Sequence, residues 1–113
     1  MEEQRKKPRF NVLWRAVIKL GEGNIVPVEI TNISKNGVLM QSPGPVEINQ
    51  EYRLMMDVPN INPAAQESYQ VHCTMLVLNS QLNDGLYHVN LKFTELSDLH
   101  RCLFEAWLSL VSR

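Results

Sequence analysis

At 113 residues, with 44% hydrophobic and 20% charged side chains, the chain has material for one hydrophobic core and lies outside the disordered, collagen-like and coiled-coil ranges. No apolar run approaches the roughly 18 residues of a membrane span, and Met1 to Lys7 has no apolar signal stretch, so a cytoplasmic protein is expected. The net charge of -1 is unevenly spread: Arg5, Lys6, Lys7 and Arg9 crowd one arm, while the chain beyond residue 10 carries 7 basic against 10 acidic side chains, an acidic body unsuited to a nucleic-acid polymer.

After the arm, Val12, Trp14, Ala16, Ile18 and Leu20 alternate with other residues at the period of a strand. Gly21 to Asn24 is a turn cluster, and Val26, Val28 and Ile30 lie on one face of a second strand, completing a hairpin. Ser34-Lys35-Asn36-Gly37 forms a tight turn in which Gly37 is free to take positive φ, and a third strand follows from Val38 to Gln41. Tyr52, Leu54, Met56 and Val58 mark a fourth strand, and the Pro- and Asn-rich stretch from Pro59 to Ser68 reads as a mobile loop. Val71, Cys73, Met75 and Val77 mark the fifth strand. Tyr87, Val89, Leu91 and Phe93 mark the sixth, across an Asn83-Asp84-Gly85 hairpin turn. The period then changes, and Leu99, Leu103, Ala106, Trp107, Leu110 and Val111 share one helical face, with Ser97 as N-cap and Phe104 and Leu108 outside the main stripe. Such a stripe reads as a broad core face, with a dimer seam as the alternative. The expected fold is mainly β, a six-stranded antiparallel barrel with a C-terminal helix from about residue 97 covering one opening. In domain terms, residues 1–10 form a flexible basic arm and residues 11–113 a single barrel domain.

Catalytic constellations are missing from the pattern. His72, His88 and His100 have no metal-ligand spacing, so no metal is assigned. Cys73 and Cys102 are too few for a disulfide scaffold and read as reduced and buried. Ser34 lacks the setting of a nucleophile elbow, and no glycine-rich phosphate loop opens the helix. The chain is not expected to be an enzyme.

Two elements remain: Arg5-Lys6-Lys7-Pro8-Arg9 entering the first strand, and Asn32-Ile33-Ser34-Lys35-Asn36-Gly37 leaving the second. Taken alone, Asn32 and Ser34 are better read as satisfying local backbone groups, as such residues do in turns. Together, as RxxxR followed by (D/N)xSxxG in this strand context, the elements resemble the PilZ family over essentially the whole chain. The resemblance implies a non-catalytic bacterial receptor for the second messenger cyclic di-GMP. Its ligand residues would be Arg5 and Arg9 in the arm and Asn32, Ser34 and Gly37 in the turn. It also implies a switch that signals through an unidentified effector protein, in settings such as motility and biofilm formation, as a monomer or homodimer. The alternative is a protein-interaction module of pilus or flagellar assembly that leaves the arm unused.

The ligand's chemistry suits these residue types. Two phosphodiesters and two guanines ask for cations and planar faces, and arginine offers both in one side chain. Asn32 brings amide groups for a base edge, Ser34 a hydroxyl, and Gly37 an uncovered backbone. Relatives often carry a second arginine where Gln4 stands and glycine where Asn90 stands, and the fifth strand as read here has no aromatic residue for stacking.

Overall fold

The computed structural model describes residues 10–21, 23–60, 64 and 67–111. Six strands run in chain order: β1 Phe10–Gly21, β2 Asn24–Ile33, β3 Gly37–Ser42, β4 Glu51–Pro59, β5 Ser68–Asn83 and β6 Leu86–Leu96, followed by helix α1 Asp98–Val111. All neighbours are antiparallel and the order β1-β2-β3-β6-β5-β4 closes on itself as a barrel. The ring is two three-stranded meanders latched at two long-range seams. One seam joins β3 to β6 from Gly37↔Lys92 to Ser42↔Tyr87, and the other joins β1 to β4 only from Ala16↔Met56 to Lys19↔Arg53.

Period-two patterning explains the closure, because every second residue of each strand turns into the barrel. Trp14, Ala16 and Ile18, then Val28 and Ile30, Val38 and Met40, Leu54, Met56 and Val58, Val71, Cys73, Met75 and Val77, and Val89 and Leu91 are all buried in one core. The β5–β6 hairpin turns at Asp84 and Gly85 with φ of 55° and 80°, the paired positive values of a two-residue turn that matches strand twist. Strand β5 starts earlier than its apolar alternation indicates, at Ser68, and so does contain an aromatic residue, the exposed Tyr69. Residues 61–63, 65 and 66 of the stretch read as a mobile loop between β4 and β5 lie outside the described residues.

Ser97 caps α1 as its position implies: the His100 N–H donates to Ser97 Oγ at 3.1 Å. The helix covers the barrel end at which β1 begins and β2 ends. There Trp14 meets Phe104 and Trp107 edge-on at centroid distances of 6.1 and 5.1 Å, and Phe93 meets Phe104 at 5.2 Å. This corrects the expected helical face. Phe104 and Leu108 are buried, whereas Leu99, Ala106 and Leu110 are exposed. Two apolar faces compete on this helix, and the one carrying Phe104 is the one that builds an aromatic cluster with the strands. Cys102 likewise lies exposed rather than buried, on the outer side of α1, while Cys73 faces the core.

Candidate ligand-binding site

Phe10, the first described residue, pairs with Ile33 of β2, so the point at which the basic arm leaves the barrel lies beside the turn after β2. Arg5 and Arg9 themselves lie outside the described residues. The next pair is Asn11↔Asn32, and the Asn32 Nδ2 donates to Asn11 Oδ1 at 2.9 Å. Both strands are irregular here, β1 between Asn11 and Trp14 and the β2–β3 ladder between Ile30 and Asn32. Such bulges turn side chains out of the regular alternation, and they aim both asparagines at the outer surface. Asn11 carried no sequence signal; only the register reveals it as the partner of Asn32.

The turn is tightly built. The backbone N–H of Ser34 donates to the Gly37 carbonyl at 2.9 Å, and the Ser34 hydroxyl donates to the same oxygen at 3.3 Å. Ser34 is buried, so in this structure its hydroxyl braces the turn. Gly37 departs from the expectation of positive φ and an uncovered backbone. Positive φ among the described glycines occurs at Gly23 and Gly85, and Gly37 is buried against β6. A Cβ built on Gly37 would overlap the Leu91 carbonyl oxygen and stand 3.0 Å from the Leu91 carbonyl carbon and Lys92 Cα. Glycine is required here by close strand approach rather than by turn conformation. The Phe93 N–H donates to the Asn36 carbonyl at 2.9 Å and ties the far side of the turn to β6.

Cross-strand register extends this surface around the barrel. Asn32 pairs with Leu39, Leu39 with Asn90 and Asn90 with Asn79, so an outward row of amides interrupted by one leucine crosses β1, β2, β3, β6 and β5. Lys35 in the turn and Lys92 opposite Gly37 are exposed cations beside it. Amides with both donors and acceptors next to ammonium groups form a surface for polar, anionic ligands with hydrogen-bonding edges. Among the described residues, no three His, Cys, Asp or Glu side chains are grouped to hold a metal. The fold does bring together two histidines that are remote in sequence, His72 and His100, whose rings stack at a centroid distance of 6.4 Å.

The family model described as PilZ domain matches residues 3–109. No curated protein matches the chain in sequence. Among solved structures, the Bacillus subtilis inhibitor of motility MotI/DgrA superposes with a TM-score of 0.74 at 14% identity, over 93% of this chain and 50% of that one. Escherichia coli YcgR in complex with c-di-GMP superposes at 0.69 and 12% identity, over 96% of this chain and 46% of that one. The isolated PilZ domain of YcgR with c-di-GMP gives 0.68 and 13% identity, over 96% and 92%. The chain therefore spans about half the length of the longer two and nearly all of the isolated domain. At these identities the likeness concerns the barrel and its helix.

Proposed function

The chain belongs to the PilZ domain family, and on that basis we propose that it is a cyclic di-GMP receptor, a non-catalytic module whose nucleotide site is shared between the arm and the turn after β2. The observation that carries this reading is the Phe10↔Ile33 register, which brings the exit of the RxxxR arm to the edge of the Asn32 to Gly37 turn. Two of the similar structures were solved with c-di-GMP, which supports the choice of ligand. In the proposed complex, Arg5 and Arg9 supply guanidinium planes and forks for guanine and phosphate, and Asn32 supplies an amide for a base edge. Gly37 acts by letting β3 approach β6 closely, and Ser34 by holding the turn. The arm folds onto the barrel with the nucleotide and presents a changed surface to an effector protein.

The test is a calorimetric titration with cyclic di-GMP on the wild type, Arg9→Ala and the Arg5→Ala, Arg9→Ala double variant. Loss of a charge-assisted contact should weaken binding by about 1.5 to 3 kcal/mol per arginine with little change in thermal stability. Wild-type affinity in the double variant would sink the receptor assignment.

A further inference from the structure

The reversal of the helical face leaves a surface that neither the barrel nor the nucleotide reading uses. With Phe104 and Leu108 directed inward, Leu99, Leu103, Ala106 and Leu110 follow one another at intervals of four, three and four residues along the outer side of α1. That is the alternation of a coiled-coil seam, and at about 100° per residue the four positions fall within a narrow sector, roughly 130° around the helix from Phe104. Leu99 is 69% and Leu110 43% exposed, Ala106 and Cys102 are exposed, and Leu103 is half-buried, joining the strip to the Trp107 edge of the core. Asp98, Arg101 and Glu105, the charged residues of the helix, lie off the strip, so its centre is apolar and uncharged.

We propose that this strip is the seam of an antiparallel helix pair formed with a second copy of this chain. Spacing of four, three and four residues along one side of α1 suits a second helix laid along the strip. Self-pairing follows from the order of sizes along the strip. Two copies running antiparallel about a two-fold axis between Leu103 and Ala106 set Leu99 against Leu110 of the other copy, and Leu103 against the small Ala106, so large meets small at the closest approach. Antiparallel alignment also opposes the helix dipoles favourably, and no like charges meet in the seam. Each helix is already fixed to its barrel through Phe104 and Leu108, so pairing orders no backbone.

Sedimentation equilibrium of the full chain, in reducing buffer without nucleotide, from about 10 µM to about 1 mM, tests the proposal. A concentration-dependent monomer–dimer equilibrium is expected. Leu99→Glu should raise the dimer dissociation constant at least about tenfold, as should Ala106→Glu, a second exposed site should the first variant fold poorly. Leu82→Glu, at a residue 62% exposed on the distant β5–β6 hairpin, should leave it unchanged. Combining Leu99→Glu with Leu110→Lys should restore the dimer, because the antiparallel register faces each acid with a base, whereas a parallel pair would face like charges. A single monomeric species throughout would overturn the proposal and assign the strip to a helix of another protein. A wild-type dimer that the charge-swapped variant fails to recover would overturn the antiparallel seam.

Discussion

At the scale of single residues, the turn separates two kinds of contribution to stability, a hydrogen bond at Ser34 and close strand approach at Gly37. Ser34→Ala removes a hydroxyl from a carbonyl that the Ser34 N–H still satisfies, so a loss of about 0.5 to 1.5 kcal/mol in folding stability is expected, measured by urea unfolding. Gly37→Ala forces a methyl group into the β6 backbone and should cost about 3 kcal/mol, because neither strand can move without breaking the ladder. Weakened nucleotide binding in that variant would therefore report on the seam, not on contact with the ligand. Cys73 is a third residue with a distinct signature, since burial pushes its thiol up from 9.0 to about 12. The native thiol holds its proton where the unfolded one has lost it, so this contribution to stability is present below pH 9.0 and declines as pH rises toward about 12. Unfolding measured between about pH 8 and pH 11 should show a shallower alkaline decline in Cys73→Ala than in the wild type. The turn's residue types were legible in the sequence, but their duties were not. Ser34 and Gly37 take their roles from the Gly37 carbonyl and from β6, a strand more than fifty positions away in the chain.

At the scale of elements, the strands were readable because half-buried β structure writes its two faces into the sequence as alternation, which the inward residues follow except where the bulge in β2 turns Ile33 inward three positions after Ile30. The helix was legible as an element and misread in orientation. Leucines at 99, 103 and 110 and the apolar residues at 104, 107 and 108 describe two overlapping faces, and only the positions of Trp14 and Phe93 on separate strands decide between them. A direct check is a pair of alanine substitutions. Phe104→Ala should cost about 3 to 5 kcal/mol by emptying the aromatic cluster. Leu99→Ala should stay within about 0.5 kcal/mol in the dilute monomer, because its side chain is 69% exposed. Equal costs in thermal or chemical unfolding would mean that the helix lies differently on the barrel.

At the scale of the whole molecule, the arm's exit, the turn and α1 converge on one end of the barrel. Trp14 links them, four residues after the arm enters at Phe10 and in contact with both Phe104 and Trp107. On the proposed function, a ligand that fastened the arm to the turn would act within one side chain of the helix that closes the mouth, a short path to an outward-facing surface. Saturating cyclic di-GMP should raise amide-exchange protection in Asn32 to Gly37 and in the first two turns of α1 together. Protection confined to the turn would show that the helix takes no part in the response.

The two latches of the ring also bear on how the chain reaches its fold. Within each meander, partner strands are neighbours in sequence and their hairpins close over short loops, whereas the β1–β4 and β3–β6 registers join segments separated by whole strands. Loop-closure entropy makes such distant registers slow to find, so this small domain should fold in milliseconds to seconds rather than microseconds. Of the two latches, the shorter one, from Ala16↔Met56 to Lys19↔Arg53, offers the least return until the rest of the ring is in place. The last gap to close during folding is then the first to open under stress, and until it closes, two bare strand edges face the solvent in every newly made copy.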